Sequence, residues 1–300
     1  MIYRSAEDYL RAPRKAVALI GMSGLGKTCT AAMLRETGGW FHYSVDYRIG
    51  TRYMGEHIVD NVKREVMKNP FLAGLLKSDS IYIASNITFD NLDPLSTYLG
   101  KPGDPRRGGI PFDEYIRRQR QHREAELAAL LDTGLFLGKA AAIYGYPHFL
   151  CDTGGSICEV VDPSDPNDPV LRALSENVLL VQIRGNEALE EELCQRFERS
   201  PKPMYYPEAL LRDLWAAYRS EAGVETGAGE DAVDPDAFIA HGFRQLLAHR
   251  VPLYDAIGLN WGVQVEAAEI ASLRTPDAFD RLVAEAIERC QSVAPDQAAG

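Results

Sequence analysis

Val17-Ala18-Leu19-Ile20-Gly21-Met22-Ser23-Gly24-Leu25-Gly26-Lys27-Thr28 decides how the rest of this chain is read. The first four residues are a short apolar run that stops at a glycine, the signature of a buried strand. The next eight match G-x-x-x-x-G-K-[ST], and residues 27–35 continue in a helical pattern. Strand, glycine-rich loop and helix in that order are the context in which the spacing carries chemistry. Glycines let the loop curl so that successive N–H groups face phosphate oxygens. The helix start adds its dipole. A lysine at position 27 reaches the β- and γ-phosphates, and a hydroxyl at position 28 ligates Mg2+. Four fixed positions arise by chance in a chain of this length only about once in a hundred. Gly21, Met22, Ser23, Gly24, Leu25, Gly26, Lys27 and Thr28 are therefore expected to bind nucleotide phosphates, with ATP and Mg2+ as ligands.

Composition narrows the class further. The chain has 300 residues, 46% hydrophobic and 25% charged, enough for one large domain or two small ones around a core. Asp and Glu total 43 against 32 Lys and Arg, a net charge of −11. So acidic a balance argues against nucleic acid, whose affinity comes from neutralising phosphates. The five cysteines are irregularly spaced and form no C-x-x-C, so neither a disulfide framework nor a zinc site is expected. A reduced, cytoplasmic setting fits. The N-terminal stretch lacks the long apolar segment of a signal peptide. The most apolar region, residues 127–150, holds Asp132, Lys139 and His148, so it reads as buried helix and strand and no membrane partner is expected.

The pattern along the chain alternates strands and helices. Residues 40–45 alternate like a strand, 54–68 are helical, and 80–85 form a further short strand. Residues 101–111 are a Gly- and Pro-rich loop, and 112–131 a strong helix. A strand at 148–151 ends at Asp152-Thr153-Gly154-Gly155. The nearly all-apolar run 178–183 suits an interior parallel strand. A helix follows at 187–199, and residues 223–236 read as an acidic, mobile surface excursion. Residues 262–265 form a last strand, and Thr275-Pro276 opens the final helix. This order predicts an α/β fold with a mainly parallel sheet.

No guanine-reading N-K-x-D motif occurs, which sets a GTPase aside. Further elements carry a resemblance. Asp46 follows the second strand. His122-Arg123-Glu124-Ala125-Glu126 approximates an F-R-x-x-E element. Residues 148–156 form a strand and glycine turn, residues 195–207 an Arg-containing segment, and Arg250-Val251-Pro252-Leu253-Tyr254 an R-x-P-L-Y segment. In this order, from Lys15 to about Ile287, the chain resembles the shikimate-kinase branch of P-loop kinases, relatives of nucleoside monophosphate kinases. The resemblance implies a three-layer P-loop NTPase fold with a mainly parallel five-stranded sheet and helical insertions. It implies a single kinase-like domain over residues 1–300, with insertions at about 61–111 and 221–240 and a lid at about 195–207. It also implies that Asp46 orients an acceptor hydroxyl, that Arg123, Gly154, Gly155 and Arg250 bind the acceptor, and that a lid arginine neutralises the transferring phosphoryl group. The family commonly has D-x-D where this chain has Ser44-Val45-Asp46. Asp152, ending an apolar strand, is the alternative carboxylate for the metal beside Thr28.

Each of these residues has a plainer reading. Asp46 also suits a helix cap. Arg123 lies among Arg117, Arg118 and Arg120, a run that also suits a solvated face. Gly154 and Gly155 also suit a simple turn, and Arg250 a surface helix end. Among Arg196, Arg199 and Lys202, Arg199 is the expected catalytic lid residue, beside the catalytic Lys27 and Asp46. Its other reading is pairing with glutamates of its own helix. Tyr205 and Tyr206 suit a pocket lining under the lid, whereas the aromatic run 40–43 suits core packing. The six histidines are scattered, which argues against a histidine metal cluster. Cys29 is expected to be buried in the first helical turn. The expected activity is transfer of the ATP γ-phosphoryl group to a small anionic metabolite. The alternative is a P-loop ATPase or nucleotide switch acting on a protein or RNA partner.

Overall fold

Ala16–Ile20 (β1) has no polar side chain, and every one of its residues is buried. A strand covered on both faces reads as a continuous apolar run. Full burial of a side chain such as Leu19 or Ile20 contributes about 1.5–3 kcal/mol, which pins the strand in the core. The computed structural model describes residues 1–223 and 229–297. Around β1 lie Trp40–Ser44 (β2), His148–Asp152 (β3), Leu179–Arg184 (β4) and Val263–Glu266 (β5). All four pairings are parallel, in the order β2-β3-β1-β4-β5. The architecture is thus α/β with a five-stranded, all-parallel sheet. β4 lies between β1 and β5, in keeping with its apolar sequence.

This strand order fixes where a ligand can enter. From β1 the chain proceeds to β2 on one side, whereas from β3 it crosses to β4 on the other side of β1. The reversal falls between the C-terminal ends of β1 and β3, the usual ligand position in open α/β sheets. Register places Leu19 opposite Asp152, so the loop after β1 and the turn after β3 leave the sheet side by side.

The chain divides into two compact units. The first comprises Met1–Val45, Ala129–Arg196 and Gln245–Gly300, and it contains the whole sheet. Its core includes Trp40, edge-on to Phe279 at 5.7 Å, and Phe41 stacked on Phe149. The aromatic run of β2 is core packing, as the sequence suggests. Thr275 caps the final helix by accepting from the Ala278 N–H, and Pro276 opens it.

The second unit, Asp46–Ala128 and Phe197–Arg244, is helical. Its core includes Tyr115, Tyr206 and Phe238, all fully buried, with Trp215 stacked on Phe112 at 4.6 Å. Gly55–Val66, Pro70–Lys77 and Asp93–Leu99 are helices. Asn69 starts the second of these, its side chain accepting from the N–H groups of Phe71 and Leu72.

Two local expectations change. Residues 80–85 do not form a strand: the segment belongs to the helical unit and has no neighbouring strand to complete a hydrogen-bond ladder. The 223–236 stretch is not a uniformly mobile excursion either. Val233 is buried, its carbonyl accepts from the Asp104 N–H, and Arg107 pairs with Asp234 at 2.7 Å. Residues 224–228 of that stretch lie outside the described residues. Among the described residues, no helix is long and apolar enough to cross a membrane.

Candidate functional site

The loop that leaves β1 has the curl its glycines predict. Gly24 and Gly26 adopt φ of +93° and +94°, a region that side chains with a Cβ avoid. Gly26 is the N-cap of the Lys27–Glu36 helix, whose first-turn N–H groups have no intrahelical acceptors. Lys27 is buried, and its Nζ donates to the carbonyls of Gly21 at 2.5 Å and Met22 at 2.8 Å. The ammonium group is therefore folded onto the start of the loop. Cys29, one residue past Thr28, is exposed, contrary to the expected burial, because it occupies the outward side of the first turn.

Thr28 is joined to the neighbouring strand. Its hydroxyl donates to Asp152 Oδ2 at 3.1 Å. The other oxygen, Oδ1, accepts from the Gly154 N–H at 3.3 Å. Ser44, at the end of β2, is in register with Asp152 from the other side. Thus Asp152 is a carboxylate next to the loop, and Ser44 is its strand neighbour. A hydroxyl and a carboxylate are hard oxygen donors that suit Mg2+, which takes its remaining ligands from water and phosphates. His42 is buried on β2. Burial holds its pKa below the ordinary value, although the Asp152 carboxylate pulls the other way.

The helix Glu187–Arg199 covers the loop from one side. A Cβ on Gly24 would lie 2.7 Å from both Arg196 Nη2 and Leu193 Cδ2. Glycine at this position is therefore required by close approach as well as by φ. Of the three cations that the sequence left as candidates, Arg196 is the one this unit places against the loop. A cavity of about 450 Å³ lies beside it, lined by Gly24 to Gly26, Asn186, Leu189, Glu266 and Ala268 among others. Four alanines, at positions 188, 267, 268 and 271, belong to its wall. Arg184, between Asp255 at 3.5 Å and Glu266 at 3.6 Å, forms its polar edge.

The turn after β3 touches the loop directly. A Cβ on Gly155 would lie 2.4 Å from Ser23 Oγ. Arg250, on the helix Pro235–Trp261, is buried and donates from Nε to Glu159 Oε1 and from Nη1 to the Gly155 carbonyl, both at 2.8 Å. Burial works against its charge. The neighbouring Cys158, Glu159 and Tyr254 outweigh that and hold the guanidinium above its ordinary pKa. Tyr254 is itself buried, as core packing requires.

The remaining candidates belong to the second unit. Asp46 is half-buried in the first turn of the helix Val45–Arg48, just past the end of β2. A π-helical turn, Ile49–Tyr53, follows it. On the basic helix Phe112–Leu131, Arg117 and Arg118 both donate to Glu114, and Arg120 forms a two-pronged pair with Glu208. Arg123 is exposed, whereas Glu126 is fully buried, with His122 3.7 Å away. Arg199 and Lys202 are exposed. Beyond Arg199 the chain is irregular, and the Met204 carbonyl accepts from the Tyr115 hydroxyl at 3.0 Å. Tyr205 and Tyr206 are both buried. Tyr205 stacks on His122 and the Tyr206 N–H donates to Gln119, so both are packing residues.

The loop, Asp152, Gly154, Gly155 and Arg250 therefore belong to the sheet unit, and Asp46, Arg123 and Arg199 to the helical one. Sequence reasoning passed over Glu159. Its partner Arg250 is 91 residues away, and no local spacing announces such a pair. No protein-family model matches this chain, and no curated protein matches it either.

Proposed function

We propose that this protein is an ATP-dependent phosphotransferase of the P-loop kinase type. The observation that carries the reading is the Thr28–Asp152 hydrogen bond, which joins the glycine-rich loop to the carboxylate ending the adjacent strand. A metal-bound triphosphate needs a hydroxyl and a carboxylate side by side at the switch point of a parallel sheet. In this reading the phosphates lie along residues 21–28, and Lys27 leaves the Gly21 and Met22 carbonyls to meet them. Thr28 and Asp152 would hold Mg2+, which supplies charge neutralisation at the phosphate oxygens. Arg196 lies against the loop at Gly24, and its charge supports the same chemistry. The cavity of about 450 Å³ beside Gly24 has the size of a ligand pocket and suits the nucleoside portion.

The acceptor is assigned as a small anionic metabolite with a free hydroxyl. That assignment rests on the motif resemblance at Asp46 and Arg123. Arg199 keeps its assignment as a phosphoryl-neutralising residue on the same ground. Arg250 is already committed to Glu159 and Gly155, so it supports the acceptor role less than its motif implied.

A second reading, a nucleotide-driven ATPase acting on a macromolecular partner, is favoured by one observation. The acidic residue joined to Thr28 is on β3, and the family's acidic position at the end of β2 is Ser44. One experiment separates the two. Purified protein is incubated with ATP, Mg2+ and a metabolite library, and ADP and products are followed by mass spectrometry. ADP formation that requires a metabolite, with a phosphorylated product, supports the kinase. Phosphate release from ATP alone, indifferent to every metabolite, supports the ATPase. Absence of any nucleotide binding overturns both.

A further inference from the structure

Arg250 occupies an unusual position for a residue singled out as an anion binder. It is 4% exposed, and its Nε and Nη1 both donate to the short segment that follows β3. Nη1 holds the Gly155 carbonyl and Nε holds Glu159, four residues later. The Glu159 side chain is 1% exposed, and its second oxygen faces His249 Nε2 at 3.2 Å. The guanidinium thus fastens both ends of residues 155–159 to a long helix.

What this segment touches gives the clamp its consequence. Gly155 abuts Ser23 in the glycine-rich loop so closely that no Cβ fits between them. Three residues upstream, Asp152 accepts from Thr28 on one oxygen and from the Gly154 N–H on the other. The turn 152–155 therefore sets the direction of the Asp152 carboxylate, and its far end is held by Arg250. A planar guanidinium can hold a carbonyl and a carboxylate in fixed directions at once, which an ammonium group cannot.

The geometry points to Arg250 and Glu159 as positioning residues: a buried ion pair that holds the post-β3 turn against the glycine-rich loop and so orients Asp152 toward Thr28. Its role rests on the nucleotide reading above, and it adds to that reading a device that acts on the metal end of the site only.

The test is a set of ATP-binding titrations on wild-type protein, Arg250→Lys and Glu159→Gln, each with Mg2+ and with EDTA, alongside urea unfolding. The wild type is expected to bind Mg·ATP more tightly than metal-free ATP. Both variants are expected to lose about tenfold of that Mg2+-dependent gain, as partners that orient metal ligands commonly do, while metal-free ATP affinity stays unchanged. A purely structural role would lower stability and both affinities together, and that pattern overturns the inference. So does a Mg2+ gain that survives intact in both variants, or a wild type that binds ATP equally with and without Mg2+. In either of those cases the nucleotide reading stands. A wild type that binds no ATP under any condition overturns the nucleotide reading, and the positioning role with it. Glu159→Gln keeps the shape of the side chain and decides the matter if Arg250→Lys does not fold.

Discussion

The glycine-rich loop and the basic helix Phe112–Leu131 both attract attention as places where cations could meet an anion, yet they are built differently. In the loop, Lys27 is buried and its Nζ donates to the Gly21 and Met22 carbonyls, which carry no full charge. On the helix, Arg117 and Arg118 meet Glu114, and Arg120 meets Glu208. A cation resting on carbonyls is easily recruited by a phosphate, whereas one held by a carboxylate must first give up a charged partner. The comparison teaches that the number of arginines in a run says little. What matters is whether carboxylates are available at helical spacing or across a neighbouring element.

Five measurements would break or sharpen this contrast. The largest effect is expected for Lys27→Ala, which should cut ATP turnover about a hundredfold to a thousandfold while leaving the fold intact. Coupled ADP assays and circular dichroism would check both halves. Next comes Glu159→Ala, which strands a buried arginine. It should cost about 3–5 kcal/mol of stability, read from the urea midpoint. Gly24→Ala forces a Cβ into a left-handed conformation and against Arg196 and Leu193. A loss of about 1–3 kcal/mol is expected, together with weaker ATP binding.

On the helix the effects are smaller and depend on pH. Hydrogen bonds from Arg117 and then Arg118 draw the Glu114 carboxyl from 4.5 down to about 2, against the opposing effect of burial. A depressed carboxylate contributes stability above its unfolded pKa and loses it as pH falls through the folded one. Wild type should therefore exceed Glu114→Gln by about 1 kcal/mol or less at neutral pH, since the Arg117 partner is exposed to solvent screening. That margin should fade between about pH 5 and pH 2, as thermal melts across the range would record. Arg123→Ala should be smallest of all, within about 0.5 kcal/mol, because the side chain is exposed. Any loss of acceptor-dependent turnover in that variant would then reflect recognition and not folding.

Much of the sheet was legible because its signals are local. The apolar run of β1, the glycine loop and the helix after it occupy consecutive residues. The helices Phe112–Leu131 and Glu187–Arg199 begin and end where periodicity places them. Residues 80–85 mislead for the opposite reason: their composition suits a strand, but a strand exists only if another lies beside it. The helical unit was less legible, since short helices such as Asp93–Leu99 depend on packing more than on pattern.

The candidate site divides along the same line. By itself the sequence determined the loop, its lysine and its hydroxyl, because strand, turn and helix chemistry follow from neighbours in the chain. It also supplied Asp152 as an acidic strand end and as the expected metal carboxylate beside Thr28. Only the tertiary structure decided that Thr28 and Asp152 meet, that Arg196 lies over Gly24, and that Arg250 is committed to Glu159 and Gly155. Those contacts join residues far apart in the chain, and strand order and burial select such partners in a way that spacing cannot encode.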